Sequence, residues 1–384
     1  MQYRRFGELD WKASALGFGC MRLPTENGKE DIDEAQATEM LRYAIDNGVN
    51  YVDTAYPYHG GNSEPFVGRA LQDGYREEVR VATKMPSWKI EEREDFDRYL
   101  NEQLERLQTE HIDFYLLHAL REDSWHKLRD FGVLDWAEGA IEGGRVGHLG
   151  FSFHDDYEVF KEIVDAYDWT FCQIQYNYMD IENQAGTRGL KYAASRGLAV
   201  VIMEPLLGGK LVDPPESVQE IWDQTPTTRS PADWALQWLW HQPEVSVVLS
   251  GMSTMDHVVE NVTSADRSST GILTADELAI IERVREKYEE LCPIPCTQCG
   301  YCMPCPNEVD IPRNFEIYNQ LAIYDADEWA QWAYDELAEE KRASSCIACL
   351  ECEDKCPQAI PISDWMVHVH EVLGEGAPLV CELP

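Results

Sequence analysis

Ten of the chain's 12 cysteines lie beyond residue 290, and eight of those fall into two runs. The first reads C-x2-C-x2-C-x2-C-P and uses Cys296, Cys299, Cys302 and Cys305. The second reads C-x2-C-x2-C-x3-C-P and uses Cys346, Cys349, Cys352 and Cys356. A repeated C-x2-C-x2-C run closed by Cys-Pro is the spacing of iron–sulfur ligands; two all-thiolate zinc sites are the alternative. A second set of reactive groups, Asp53, Tyr58, Lys84 and His118, lies in the first third of the chain. A free phenol, with a pKa near ~10, is a weak proton donor at neutral pH. A neighbouring ammonium stabilises the phenolate and lowers that value, and a buried ammonium in turn needs a carboxylate. Tyr58, Lys84 and Asp53 supply these three groups, and His118 can orient a carbonyl. The set suits proton transfer to a carbonyl oxygen as a hydride reaches its carbon.

Such groups act together only if the chain delivers them to one place. Short β-rich runs occur at Ala15–Gly19, Tyr51–Asp53, Val79–Thr83, Ile112–Leu117, Val146–Phe151, Thr170–Ile174, Ala199–Met203 and Val245–Leu249, with amphipathic segments such as 34–47 and 95–107 between them. Eight strand signals alternating with helices predict an α/β fold, a (β/α)8 TIM barrel; a doubly wound open sheet is the alternative. The Gly17-x-Gly19 pair lacks the third glycine of a dinucleotide fingerprint. The opening stretch, MQYRRFGELDWKAS, reads as a β-hairpin ahead of the barrel. In a barrel the C-terminal strand ends line one mouth. Asp53, Lys84 and His118 stand at the ends of three successive strands, with Tyr58 in the loop after Asp53. The jump in cysteine content divides the chain into a barrel, 1–290, and a cysteine-rich domain, 291–384.

With those residues in view, the first domain resembles the aldo-keto reductases, through LGFGCMRLP, YVDTAYPYHGGNSE, VATKMP, DFYLLH, HLGFSFH, CQIQYN, MEPLLGG and LSGMSTMDHVVEN in order. The resemblance implies a catalytic tetrad of Asp53, Tyr58, Lys84 and His118, with Tyr58 as general acid/base, and a cofactor that is NADP or NAD. It carries cofactor contacts onto Cys20, Met21, Ser152, Gln173, Met203, Pro205, Leu206, Gly208, Gly251, Ser253, His257, Glu260 and Asn261. The chain departs from the family at Phe153, where an Asn often follows the Ser, and at Met203, where an aromatic often stacks on the nicotinamide. It departs again at Glu204, near the pyrophosphate, and at His257, where a phosphate-clamping Arg is frequent. The turn Leu207–Gly209 offers backbone N–H groups to a phosphate. The choice between NADH and NADPH stays open.

The second domain resembles bacterial two-cluster ferredoxins. That resemblance implies two [4Fe–4S] clusters, one held by Cys296, Cys299, Cys302 and Cys356, the other by Cys346, Cys349, Cys352 and Cys305. Helices are expected over PRNFEIYNQLAIY and DEWAQWAYDELAEEK, and Cys292 is read as an inert thiol. Two functions follow: a nicotinamide-dependent carbonyl reductase or alcohol dehydrogenase carrying clusters, or a ferredoxin-linked electron-transfer oxidoreductase. The second needs a group that splits a two-electron hydride, usually a flavin, and no flavin motif is present. The substrate class is a small carbonyl or alcohol, with a ferredoxin or other redox partner for the clusters.

Charge narrows the partners. Seventy Asp+Glu against 32 Lys+Arg give −38, which excludes nucleic acid and anionic membrane surfaces as ligands. No apolar run suits a membrane span and no signal peptide is read, so a cytoplasmic protein is expected, with its cysteines serving as metal ligands before disulfides.

Overall fold

The computed structural model describes residues 1–28, 30–291, 293–296, 300–324, 327–356 and 358–383. Cys292 and the proposed ligand Cys299 lie outside these residues.

The chain opens with an antiparallel hairpin of β1 (Tyr3–Arg5) and β2 (Lys12–Ser14). Eight parallel strands follow: β3 (Leu16–Gly19), β4 (Tyr51–Asp53), β5 (Arg80–Met85), β6 (Ile112–Leu120), β7 (Val146–Phe153), β8 (Phe171–Gln175), β9 (Ala199–Met203) and β10 (Val245–Ser250). They pair in chain order, and β10 closes on β3 to complete the barrel. Helices after the strands cover its outside, as the alternation of strand and helix signals requires. The expected strands β6 and β7 prove longer, running on to Leu120 and Phe153.

Side chains alternate along a strand, so every second residue points into the barrel. The interior is filled by Tyr51, Ala82, Phe114, Leu116, Phe171, Ala199, Val201, Val247 and Leu249. Phe6, just after β1, joins this layer, with its ring 4.7 Å from Phe114, 5.5 Å from Phe171 and 5.8 Å from Tyr51. The hairpin therefore plugs the N-terminal end of the barrel, and burying Phe6 contributes about 1.5–3 kcal/mol. Gly7 makes the plug fit: its φ is +56°, and a Cβ there would stand 2.8 Å from the Gly197 carbonyl.

By contacts the chain divides into two units, Met1–Asp213 with Arg229–Leu278, and Pro214–Thr228 with Ala279–Pro384. In the second unit, helices Ile311–Tyr324, Asp327–Asp335 and Ile362–Glu375 enclose a core that includes Phe315, Tyr318, Trp365 and Val369. The middle helix ends at Asp335, and a 3-10 turn at Glu339–Lys341 takes over the rest of the predicted segment. Each cysteine run is followed by a helix, Ile311–Tyr324 after the first and Ile362–Glu375 after the second. Among the described residues no helix is long and apolar enough to cross a membrane.

Candidate active site

The inward parity of the barrel assembles the site. Two residues beyond the interior Tyr51, Ala82 and Leu116 come Asp53, Lys84 and His118, which form the next inward layer. The same step beyond Phe171, Val201 and Leu249 brings Gln173, Met203 and Gly251. Ser152 pairs with Gln173 across β7 and β8. Groups scattered over 200 residues of sequence thus share one rim.

Lys84 is the hub. It is 1% exposed, and its Nζ donates to Asp53 Oδ1 at 2.7 Å, to the Thr54 carbonyl at 2.8 Å and to the Tyr58 hydroxyl at 3.3 Å. Tyr58 reaches it from a 3-10 turn, Tyr58–Gly61, directly after β4. Burial works against the ammonium, but Asp53 and Tyr58 outweigh it and raise the pKa of Lys84. Burial likewise pushes Asp53 upward against the pull of Lys84. The expectation for Tyr58 needs correcting: Lys84 does pull its pKa down, but burial is the larger effect and Asp53 adds to it, so the net shift is upward. Tyr58 is therefore a phenol at neutral pH.

His118 owes its position to an irregularity. The β6–β7 register slips between Leu117 and Leu120, and Ala119 takes a left-handed φ of 52°. Its N–H donates to Ser152 Oγ at 2.7 Å, which fixes the bend. His118 packs edge-on to Tyr58, centroids 6.3 Å apart, and 5.1 Å from Trp88. Burial first, then Lys84 and His154, hold its pKa well below the usual value, so the ring is neutral. Its Nδ1 is buried with no hydrogen-bond partner among the described residues.

Behind Lys84 lies a buried polar network. Glu64 Oε1 accepts from Thr83 Oγ1 at 2.6 Å and from Gln103 Nε2 at 2.5 Å. Gln103 Nε2 also donates to the Lys84 carbonyl at 3.0 Å, and its Oε1 accepts from the Tyr115 hydroxyl at 2.7 Å. These bonds fix the β5 backbone from which Lys84 projects.

The expected cofactor positions divide. Gln173 Nε2 touches Met203 Sδ at 3.6 Å, while its Oε1 is buried and unpartnered among the described residues. Ser253 Oγ donates to the Arg22 carbonyl at 3.0 Å, and its N–H to His257 Nδ1 at 3.4 Å. Pro205, Leu206 and Gly208 lie in the turn after β9, and Met21, just past β3, is exposed. Asn261 is buried, with Nδ2 on Ser250 Oγ at 3.0 Å, and Glu260 accepts from the Ser230 hydroxyl. Cys20 faces the other way, into the core between sheet and helices, and burial raises its thiol pKa strongly. Phe153 does the same, its ring 5.1 Å from Phe160, so this departure from the family pattern lies outside the mouth.

Two residues at the mouth escaped sequence reasoning. Trp88, 50% exposed, follows β5 in the turn Ser87–Lys89. Arg22 pairs with Glu204 at 3.7 Å. Their only signal was position shortly after a strand end. His59 accepts the Leu23 N–H through Nε2 at 3.3 Å.

In the second unit, Cys302 and Cys352 belong to the apolar core, and Cys296, Cys305, Cys346 and Cys356 pack against it. Cys349 is exposed. Ala348 and Leu350 adopt left-handed φ values of 52° and 66°, which curl the second run around a concave backbone suited to an anionic centre. Burial, with smaller contributions from Cys346, Glu353 and Cys349, pushes the Cys352 thiol up to about 11. Among the described residues no three ligating side chains meet closely enough for a single metal ion.

Residues 15–286 match the aldo/keto reductase family, and the chain belongs to it. Residues 295–360 match a 4Fe-4S dicluster domain. The chain is 27% identical over 318 residues to L-galactose dehydrogenase of Arabidopsis thaliana, covering 76% of this chain and 96% of that one. The holo form of an aldo-keto reductase from Bacillus halodurans superposes with a TM-score of 0.63 at 28% identity, over 74% of this chain and 96% of that one. An aldo-keto reductase from Klebsiella pneumoniae in complex with NADPH has a TM-score of 0.61 at 24% identity, over 74% of this chain and 95% of that one, and speaks to the fold alone. The chain is thus an oxidoreductase of the aldo/keto reductase family with an appended iron–sulfur domain.

Proposed function

We propose that the barrel interconverts a carbonyl and its alcohol with a nicotinamide dinucleotide, using Tyr58 as the acid/base. The observation that carries this reading is the bond from Lys84 Nζ to both Asp53 and the Tyr58 hydroxyl. The residues present fit the cofactor. The unpartnered Gln173 Oε1 is an acceptor for a carboxamide N–H, and Ser152, whose Oγ already accepts from Ala119, has its own proton to donate to a carboxamide oxygen. When bound, the nicotinamide supplies hydride to the carbonyl carbon. Tyr58 then donates its proton to the carbonyl oxygen, and the phenolate so formed is stabilised by Lys84, whose charge Asp53 fixes in place. His118, neutral and facing the same space, holds the carbonyl oxygen by a hydrogen bond. Glu204 and His257 leave NADH and NADPH equally admissible.

In the second unit the reading is two [4Fe–4S] clusters, one on Cys296, Cys299, Cys302 and Cys356 and one on Cys346, Cys349, Cys352 and Cys305. Hydride transfer does not need them, so they serve structure, redox sensing or exchange with a redox partner in the cytoplasm. The test of the barrel reading is Tyr58→Phe. It should lower carbonyl reduction at least about a hundredfold, the worth of a positioned proton donor. Full activity in the folded variant would falsify the role given to Tyr58.

A further inference from the structure

We infer that Arg106 is a positioning residue for the acid/base: it ties the strand that carries Lys84 to the turn that carries Tyr58, and so sets the gap between them. This rests on the carbonyl–alcohol reading above. Lys84 and Tyr58 come from separate pieces of chain, β5 and the turn Tyr58–Gly61. The 3.3 Å bond between them is a single contact and does little by itself to hold two backbones in register.

The turn needs support from outside. His59, Gly60 and Gly61 take left-handed φ values of 51°, 63° and 97° in succession, and this is an uncommon conformation for a non-glycine such as His59. Past Tyr58, the turn is held where His59 accepts from the Leu23 N–H and where Asn62 Nδ2 donates to the Glu30 carbonyl at 2.9 Å. The approach to Tyr58 is held by Arg106, the last residue of the helix Asp95–Arg106. Its Nη1 donates to the Tyr56 carbonyl at 3.5 Å, and its guanidinium lies over the Tyr56 ring, 4.1 Å from the centroid. The same Nη1 would be 3.7 Å from a Cβ on Gly61. One guanidinium thus reaches the chain on both sides of Tyr58.

Arg106 is itself fixed from the side of β5. Its Nη1 also donates to Glu64 Oε2 at 3.3 Å, and its Nη2 donates to Glu102, which accepts from the Tyr56 hydroxyl at 3.2 Å. Glu64 is fully buried, and its other oxygen accepts from Thr83 and Gln103, while Gln103 holds the Lys84 carbonyl. The connection from Lys84 to Tyr58 is therefore continuous: Lys84 carbonyl, Gln103, Glu64, Arg106, Tyr56 carbonyl. An arginine suits this place because its planar fork makes several bonds at once while its face stacks on a ring. Around the Tyr58 hydroxyl the charged and titratable groups are Lys84, Asp53 and the Cys20 thiol, so the distance to Lys84 governs how well a phenolate is stabilised. Widening that gap by about 1 Å, at an effective dielectric near 20, weakens the phenolate about tenfold.

The test is stopped-flow reduction of benzaldehyde by NADPH with the full-length chain, and NADPH titration followed by tryptophan fluorescence. Arg106→Met should lower the rate at saturating aldehyde about tenfold, with the half-saturating aldehyde concentration and the NADPH Kd within about twofold of wild type. Arg106→Lys keeps a charge for Glu64 but loses the fork, so it should recover part of that rate. In a Tyr58→Phe background, Arg106→Met should cause no further loss, because the group it positions is gone. Circular dichroism checks folding, and if Arg106→Met does not fold, Arg106→Lys is read by the same criteria. A folded variant with a saturated rate within about twofold of wild type overturns the assignment, as does a loss confined to aldehyde or nucleotide affinity. A loss of equal size in the Tyr58→Phe background also overturns it, since Arg106 would then act on the fold at large. A Tyr58→Phe chain of full activity overturns the barrel reading itself, and this assignment with it.

Discussion

Replacing Lys84 by Met tests whether the ammonium does chemistry or merely balances a buried acid. In the wild-type chain the charge lies 3.3 Å from the Tyr58 oxygen and 2.7 Å from Asp53. At an effective dielectric near 20, a unit charge at that first distance stabilises the phenolate by about 5 kcal/mol, between three and four decades in rate if fully expressed. Methionine keeps the bulk and loses the charge, so reduction should slow about a thousandfold. The same change leaves Asp53, 2% exposed, without a counter-charge, at a stability cost of about 3–5 kcal/mol. These two losses can be separated. The double variant Asp53→Asn/Lys84→Met removes both charges and should regain most of the stability but none of the rate. Stopped-flow reduction of a model aldehyde reads the first effect, and urea unfolding followed by circular dichroism reads the second. A Lys84→Met chain that folds and reduces the aldehyde within about threefold of wild type refutes the electrostatic account. A double variant that regains the rate would show that Lys84 is needed only to neutralise Asp53.

Two further outcomes follow from the same structure. His118 has its folded pKa held well below the ordinary value of 6.5, so the unfolded chain binds a proton that the folded chain refuses. The stability this gives is complete above the unfolded pKa and is lost as pH falls below about 6.5 toward the depressed folded value. Urea midpoints between pH 7 and 5 should therefore fall less steeply in His118→Asn than in wild type, and equal slopes would count against a buried neutral ring. In the iron–sulfur domain, Cys356→Ser should cut iron from about eight atoms per chain to about four in anaerobically purified protein, since one cluster loses a ligand. Unchanged iron and sulfide would remove Cys356 from the ligand set.

Much of this protein is legible in its sequence for local reasons. Strand identity follows from short β-rich runs, and the ends of those runs bring Asp53, Lys84 and His118 to one mouth, whereas Gln173 was carried over from the family resemblance. The cysteine runs are equally local, because the ligands of a tight loop must be neighbours in sequence. Phe153 and Cys20 turn into the helix-covered core instead, because an odd step along the chain points a side chain away from the barrel interior.

What the sequence determines by itself is the order of strands, the inward parity and the inventory of reactive groups, all set by interactions between near neighbours in the chain. Tertiary structure alone decides the rest. Burial of Tyr58 outweighs the nearby ammonium, and that balance depends on what the fold places around the hydroxyl. The bend that aims His118 depends on a hydroxyl from the next strand, and Arg22 meets Glu204 only because the barrel closes β10 onto β3. Desolvation, strand closure and side-chain partners drawn from distant segments exist only once the chain is folded, so no local pattern encodes them.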